Sequence, residues 1–291
     1  MHSYVPQPRY NSTYYANITQ NMGNDAAAAP MIYKLAYITA AAGQPVALSS
    51  AFQNETYSLS FDGPIVKCFP ASDALVRNMT LDYNPASSGG EEIQFISWVA
   101  GNKPTRLFYG DSTTNFYTTL DSREGAGADA ASIFVMTNTG SWNKTLIYPL
   151  TWSNGSFMGI NSYTVYVNIT ECQLYNATYD VNFAFQYPNQ TREVTISKWL
   201  HPVPPASGEL GYGGVNATGS NWLSYLAMMQ AYGKLLVGYS STYPHQPTSS
   251  ALYSSWQIID IDWSDATAVQ SGLESLFQNL TLSMLSHKDF T

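Results

Sequence analysis

Charge is scarce in this 291-residue chain: 11% of its residues are Asp, Glu, Lys or Arg, against roughly 25% in ordinary soluble domains. Positive charge is scarcest, with twelve Lys and Arg against twenty Asp and Glu, a net charge of -8 and no basic run. The electrostatic footprint that nucleic acid or anionic lipid needs is therefore missing, and nucleic-acid binding is not expected. Long apolar runs are missing too. No stretch approaches the about eighteen uninterrupted apolar residues of a spanning helix, so no membrane span is expected within the chain. The opening Met1-His2-Ser3-Tyr4-Val5-Pro6 has neither the basic nor the apolar region of a signal peptide. These absences read as an excised ectodomain or a mature secreted chain.

Histidine and cysteine are equally sparse. His2, His201, His245 and His287 lack any His-x-His or His-Glu-x-x-His spacing, so no metal or cofactor is expected and surface positions are the reading. Two cysteines, Cys68 and Cys172, are too few for a disulfide framework and too isolated for zinc. One bridge between them is the economical reading, worth on the order of 4 to 5 kcal/mol by loop closure. Two unrelated buried thiols are the alternative.

What the chain has is Asn-x-Ser/Thr. The pattern occurs at Asn11, Asn17, Asn54, Asn78, Asn143, Asn154, Asn168, Asn176, Asn189, Asn216 and Asn279, eleven of twenty asparagines. Composition alone gives about four. Ten of the eleven carry Thr in the third position although Ser is the commoner residue. The excess points to N-linked glycans, hence to a chain that passed through the secretory compartment. Neutral sugars also solve the charge problem, because they solubilise a surface poor in Lys and Glu.

Aromatic residues make up 14% and hydrophobic residues 45%, enough for a sizeable core. Residues 1–30 read as an extended lead-in. Residues 31–200 read as strand after strand: 32–38, 56–61, 65–69, 93–99, 106–109, 132–137 and 145–150, then a pair with period-two alternation. In that pair Tyr163, Val165, Val167 and Ile169 alternate with polar neighbours, as do Tyr179, Val181, Phe183 and Phe185. An antiparallel β-sandwich is expected, with Asn168 on the wet face of its strand and Asn176 in the turn between the two. Residues 201–219 are Pro- and Gly-rich and read as a linker. Residues 220–291 carry two expected helices packed on the sandwich, one near 220–237 and one from 262–265 to about 285. The second has Val269, Leu273, Leu276, Phe277, Leu280 and Met284 on one stripe, with Asn279 off it.

Catalytic patterns are weak. Gly110-Asp111-Ser112 lacks the later Asp-x-x-His that an esterase of that kind needs, and no Gly-x-Ser-x-Gly elbow is present. The nearest carboxylate pairs, Glu91-Glu92 and Asp260 with Asp262, sit in a turn and before a helix. There they are better read as solvated or as helix-capping groups than as a glycosidase pair. No catalytic residue is assigned.

The block Glu171-Cys172-Gln173-Leu174-Tyr175-Asn176-Ala177-Thr178-Tyr179-Asp180-Val181-Asn182-Phe183, with the later Leu276-Phe277-Gln278-Asn279-Leu280-Thr281, resembles the extracellular domain of large multispanning membrane proteins of filamentous fungi. Some of these are labelled formylmethionine-deformylase-like. The resemblance implies membrane attachment outside this segment and brings no activity with it; the label's chemistry would need a His-Glu-x-x-His site that the sequence lacks. The expectation is a non-enzymatic, N-glycosylated cell-surface domain with wall glycans or surface proteins as partners. A secreted carbohydrate-binding or carbohydrate-active β-sandwich is the alternative.

Overall fold

The computed structural model describes residues 19–22, 25–28, 30–47, 54–72, 93–99, 131–138, 144–151, 157–165, 167–186, 189–203, 220–236, 238–241, 261–262 and 265–286. These residues are mainly β and antiparallel. Strands β4 (Ile93–Val99), β5 (Ser132–Asn138), β8 (Val167–Gln186), β3 (Glu55–Pro70), β9 (Asn189–Pro202) and β10 (Gly238–Ser241) form a six-stranded sheet. Its order is β10-β4-β5-β8-β3, with β9 also on β8. Two smaller hairpins pair β1 (Thr19–Met22) with β2 (Asp25–Ala28), and β6 (Lys144–Thr151) with β7 (Phe157–Val165). The helices are α1 (Pro30–Ala42), α2 (Ser220–Leu236) and α3 (Ala266–Ser283).

Helix α1 overturns an expectation, because residues 32–38 read as the first strand of the sheet domain. Tyr and Ile suggested a strand, but Ile32, Leu35, Ala36, Thr39 and Ala40 are the buried set. Their spacing is that of one helix face. Pro30 at the first helical position and the run of alanines at the end favour the helix. Lys34 and Tyr37 face solvent.

Helices α2 and α3 form close to where periodicity places them. Asp265 caps α3, its side chain accepting from the Thr267 amide at 2.8 Å. The expected stripe of Val269, Leu273, Leu276, Phe277, Leu280 and Met284 is buried throughout. The Tyr232 hydroxyl of α2 donates to the Leu273 carbonyl of α3 at 2.9 Å. Ser283 ties α3 to α1, its hydroxyl oxygen accepting from Thr39 at 2.8 Å and from the Val46 amide at 2.9 Å.

The sheet is organised by β8, twenty residues long. On one side it pairs with β3 in unbroken register from Glu55 opposite Phe185 to Pro70 opposite Thr170. On the other side it meets β5 over residues 167–173 and β9 over 175–186. The expected turn at Asn176 is therefore absent, and the expected break between Phe61 and Ile65 is absent too. Gly63-Pro64 looked like a break. Pro64 has no amide to offer, a harmless loss at a sheet edge. A Cβ on Gly63 would come within 3.2 Å of Phe61 and 3.4 Å of Thr281 and Tyr179, so glycine here permits close packing rather than a turn.

The two long strands change their buried face midway. Leu59 and Phe61 of β3 are buried with Tyr179, Val181 and Phe183 of β8, all at odd positions. Residues 63–66 are all buried, and beyond them the face has switched: Val66 is buried with Leu174 and Cys68 with Cys172, all even. An alternating pattern that reverses phase looks like two strands with a turn between them. That is why the sequence reads as two.

Cys68 and Cys172 form a disulfide. They stand directly opposite in the ladder with Cα atoms 4.0 Å apart, the narrow spacing of a pair whose amides point away from each other. The Cys68 amide thus faces the open edge of β3, where Glu274 of α3 accepts it at 2.7 Å. Four residues earlier the Pro64 carbonyl accepts from Thr281 of α3 at 2.8 Å and from Tyr179 at 2.7 Å. Helix α3 covers an edge that would otherwise offer unpaired backbone groups to another chain.

Two outcomes follow. A Cys68→Ala, Cys172→Ala double variant opens a crosslink spanning 104 residues and is expected to lose about 2–5 kcal/mol in urea unfolding. Glu274→Leu strands the Cys68 amide and should cost about 1–3 kcal/mol, while Glu274→Gln, which keeps an acceptor, should cost markedly less. Equal losses in the two Glu274 variants would show that the edge bond contributes little.

Candidate functional site

The switch of buried face leaves two surfaces open on β3, β8 and β9. On the first, even-numbered positions of β3 and β8 carry hydroxyls, amides and carboxylates that bond across strands. Ser58 donates to Asn182 at 2.6 Å and Thr178 donates to Asp62 at 2.6 Å. Between them the hydroxyls of Ser60 and Ser197 hydrogen-bond to Asp180 and hold its carboxyl below the usual carboxylate range. At one end of this surface lies a shallow groove of about 580 Å³, lined by Thr56, Ser58, Asn182, Thr191 and Glu193 among others.

Beneath this surface, on the opposite face, aromatic rings stack. Tyr57 lies 4.9 Å from Phe183 and 5.6 Å from Phe185, and Phe61 lies 5.1 Å from Tyr179. Arg192 closes that face, its guanidinium donating to the Pro45 carbonyl at 2.8 Å. Burial lowers its pKa and raises those of Tyr179, Tyr232 and Tyr225. These tyrosines are structural hydrogen-bond donors.

The second open surface lies where the odd face emerges at the other end of the strands. It carries Lys67 of β3, Glu171, Gln173 and Tyr175 of β8 and Trp199 of β9. Trp199 is 41% exposed. Tyr175 meets its ring edge-on with centroids 5.7 Å apart, and the Lys67 ammonium sits 5.2 Å from the indole centroid. The Tyr175 hydroxyl donates to Gln173 at 3.3 Å. Desolvation raises the pKa of Glu171. Nothing in the sequence singled out Trp199, because its facing depends on register shifts in the β8–β9 ladder at Asn176/Ala177 and Thr178/Tyr179, which a sequence pattern does not reveal.

The sequon asparagines fall into distinct environments. Asn54 and Asn189 are exposed at the same end of the sheet, Asn54 just before β3 and Asn189 opposite Gln186 at the start of β9. Asn54 adopts φ 58°, a left-handed conformation that asparagine tolerates better than most residues. Asn176 is half-buried in mid-strand and accepts from the Tyr225 hydroxyl at 3.0 Å. Asn279 is half-buried on α3 and its amide donates to the Gly43 carbonyl at 3.3 Å.

Asn168 corrects the expectation of a wet face. It is 4% exposed, opposite Thr137, and its amide donates to Thr170 at 3.4 Å. At this end of β8 residues 168, 169 and 170 are all buried, so alternation says nothing about exposure there. Asn11, Asn17, Asn78, Asn143, Asn154 and Asn216 lie outside the described residues.

Of the weak catalytic patterns, Gly110 to Ser112, Glu91-Glu92 and Asp260 also lie outside them, as do His2, His245 and His287. His201 is exposed in β9 opposite Asn176. Among the described residues no three His, Cys, Asp or Glu side chains gather into a metal-binding group, and no helix is long and apolar enough to cross a membrane. Compared with protein-family models, curated proteins and solved structures, the chain matches none.

The polar surface makes one expectation measurable. Replacing Ser60 and Ser197 by Ala removes two donors from the ionised Asp180, so its pKa rises toward the ordinary value. An NMR titration of the Asp180 carboxyl checks the direction, and an unchanged midpoint would show that these hydroxyls do not act on it.

Proposed function

We propose that this chain is an N-glycosylated extracellular domain that works by recognition at a cell surface rather than by catalysis. The observation that carries the reading is the excess of sequons, eleven in all, in a chain whose two cysteines are joined across adjacent strands. Disulfides persist in oxidising compartments, where sequons are also used. The exposed Asn54 and Asn189 offer room for bulky neutral sugars. The open polar surface is built from hydroxyls and amides that hydrogen-bond to one another, as suits a docking surface that stays soluble with little charge.

The similarity of residues 171–183 and 276–281 to the ectodomains of multispanning fungal membrane proteins extends the proposal to a tethered domain, with wall glycans or surface proteins as partners. The sandwich, with two C-terminal helices packed on it, belongs to the same proposal.

Secretion from a eukaryotic host followed by site-resolved glycan mass spectrometry tests the reading. Occupancy at Asn54 and Asn189 is expected, with Asn168 bare because a residue 4% exposed has no space for a glycan. Bare Asn54 and Asn189 in a secreted, folded chain would contradict it.

A further inference from the structure

Trp199 is a large aromatic side chain left 41% open to solvent near the end of β9, on the face it shares with Tyr175. It is not a loose rotor. Tyr175 of the adjacent strand β8, itself packed on the core and bonded to Gln173, meets the ring edge-on, and the Lys67 ammonium reaches over it from β3 on the far side of β8. An indole fixed in this way, with polar groups about one strand spacing away, is preorganised to stack against a flat partner that also carries hydroxyls.

We propose that Trp199, Tyr175, Gln173 and Lys67 form a binding site for a neutral oligosaccharide, one pyranose ring stacking on the exposed indole while Gln173 and Lys67 hydrogen-bond its hydroxyls. Charge favours a neutral ligand. On this surface Lys67 stands opposite Gln173, two residues from Glu171, so one positive and one negative group offset each other and no ionic partner is selected. A protein partner is disfavoured by composition: the centre of a stable protein interface is apolar, whereas here one exposed aromatic anchor is ringed by Lys67, Glu171 and Gln173. Stacking plus two or three directed hydrogen bonds is the usual composition of a small-ligand site. The site goes beyond the ectodomain reading and depends on the occupancy of no sequon.

The test uses the full chain, before and after enzymatic removal of N-glycans, titrated with chitohexaose, cellohexaose, laminarihexaose and mannohexaose. Calorimetry and intrinsic tryptophan fluorescence are the readouts. At least one sugar is expected to bind with Kd below about 1 mM. Trp199→Ala should weaken it about tenfold or more, with Trp199→Phe intermediate. Gln173→Ala and Lys67→Ala should weaken it by about two- to fivefold, and they carry the test if the tryptophan variant does not fold. No binding by any of the four sugars overturns the proposal, as does binding that Trp199→Ala and Gln173→Ala leave unchanged. Concentration-dependent self-association that Trp199→Ala abolishes would assign the surface to a second copy of the chain and overturn it equally.

Discussion

Strand β8 is the constraint on which the described structure depends. Its twenty residues pair with β3 along almost their whole length and with β5 and then β9 on the other side. A strand bonded on both edges fixes the register of its neighbours, and a shift by one residue would turn Tyr179, Val181 and Phe183 out of the core. The disulfide holds the same ladder at Cys68 and Cys172, so a covalent bond and a hydrogen-bonded register specify one arrangement.

That register, combined with the change of buried face near Gly63 and Asn176, produces the two open surfaces. Where the odd positions are inside, they make the aromatic stack of Tyr57, Phe61, Tyr179 and Phe183. Where the same face emerges, the residues become Lys67, Gln173, Tyr175 and Trp199. The platform is therefore the continuation of the core face past the point where its cover ends, and the core supplies its rigidity. Helix α3 covers the β3 edge through Glu274 and Thr281, so that edge offers fewer unpaired backbone groups to another chain.

Much of this was legible in the residues. The α3 stripe from Val269 to Met284 and its Asp265 cap follow from helical spacing and side-chain chemistry, and the strand segments 93–99 and 132–137 from short β-branched and aromatic runs. Residues 32–38 misled because Tyr and Ile favour strands, while the helical spacing of Ile32, Leu35 and Thr39 counts only once a neighbouring helix supplies a surface to face. Asn168 and Asn176 misled for a related reason. Alternation reports exposure only where one face is covered, and at Asn168 the neighbouring positions are covered on both faces. The Trp199 platform was illegible, since its facing follows from ladder irregularities beside Asn176 and Thr178.

Backbone amide hydrogen exchange along β8 tests the central claim most directly. A single strand held on both sides predicts slow exchange continuing through Tyr175, Asn176 and Ala177 from Ile169 to Phe185, with the segment opening as one unit. A fast-exchanging break at residues 175–178 flanked by two protected stretches would mean two strands and a turn. The single register, the change of buried face and the platform built on it would then all be wrong.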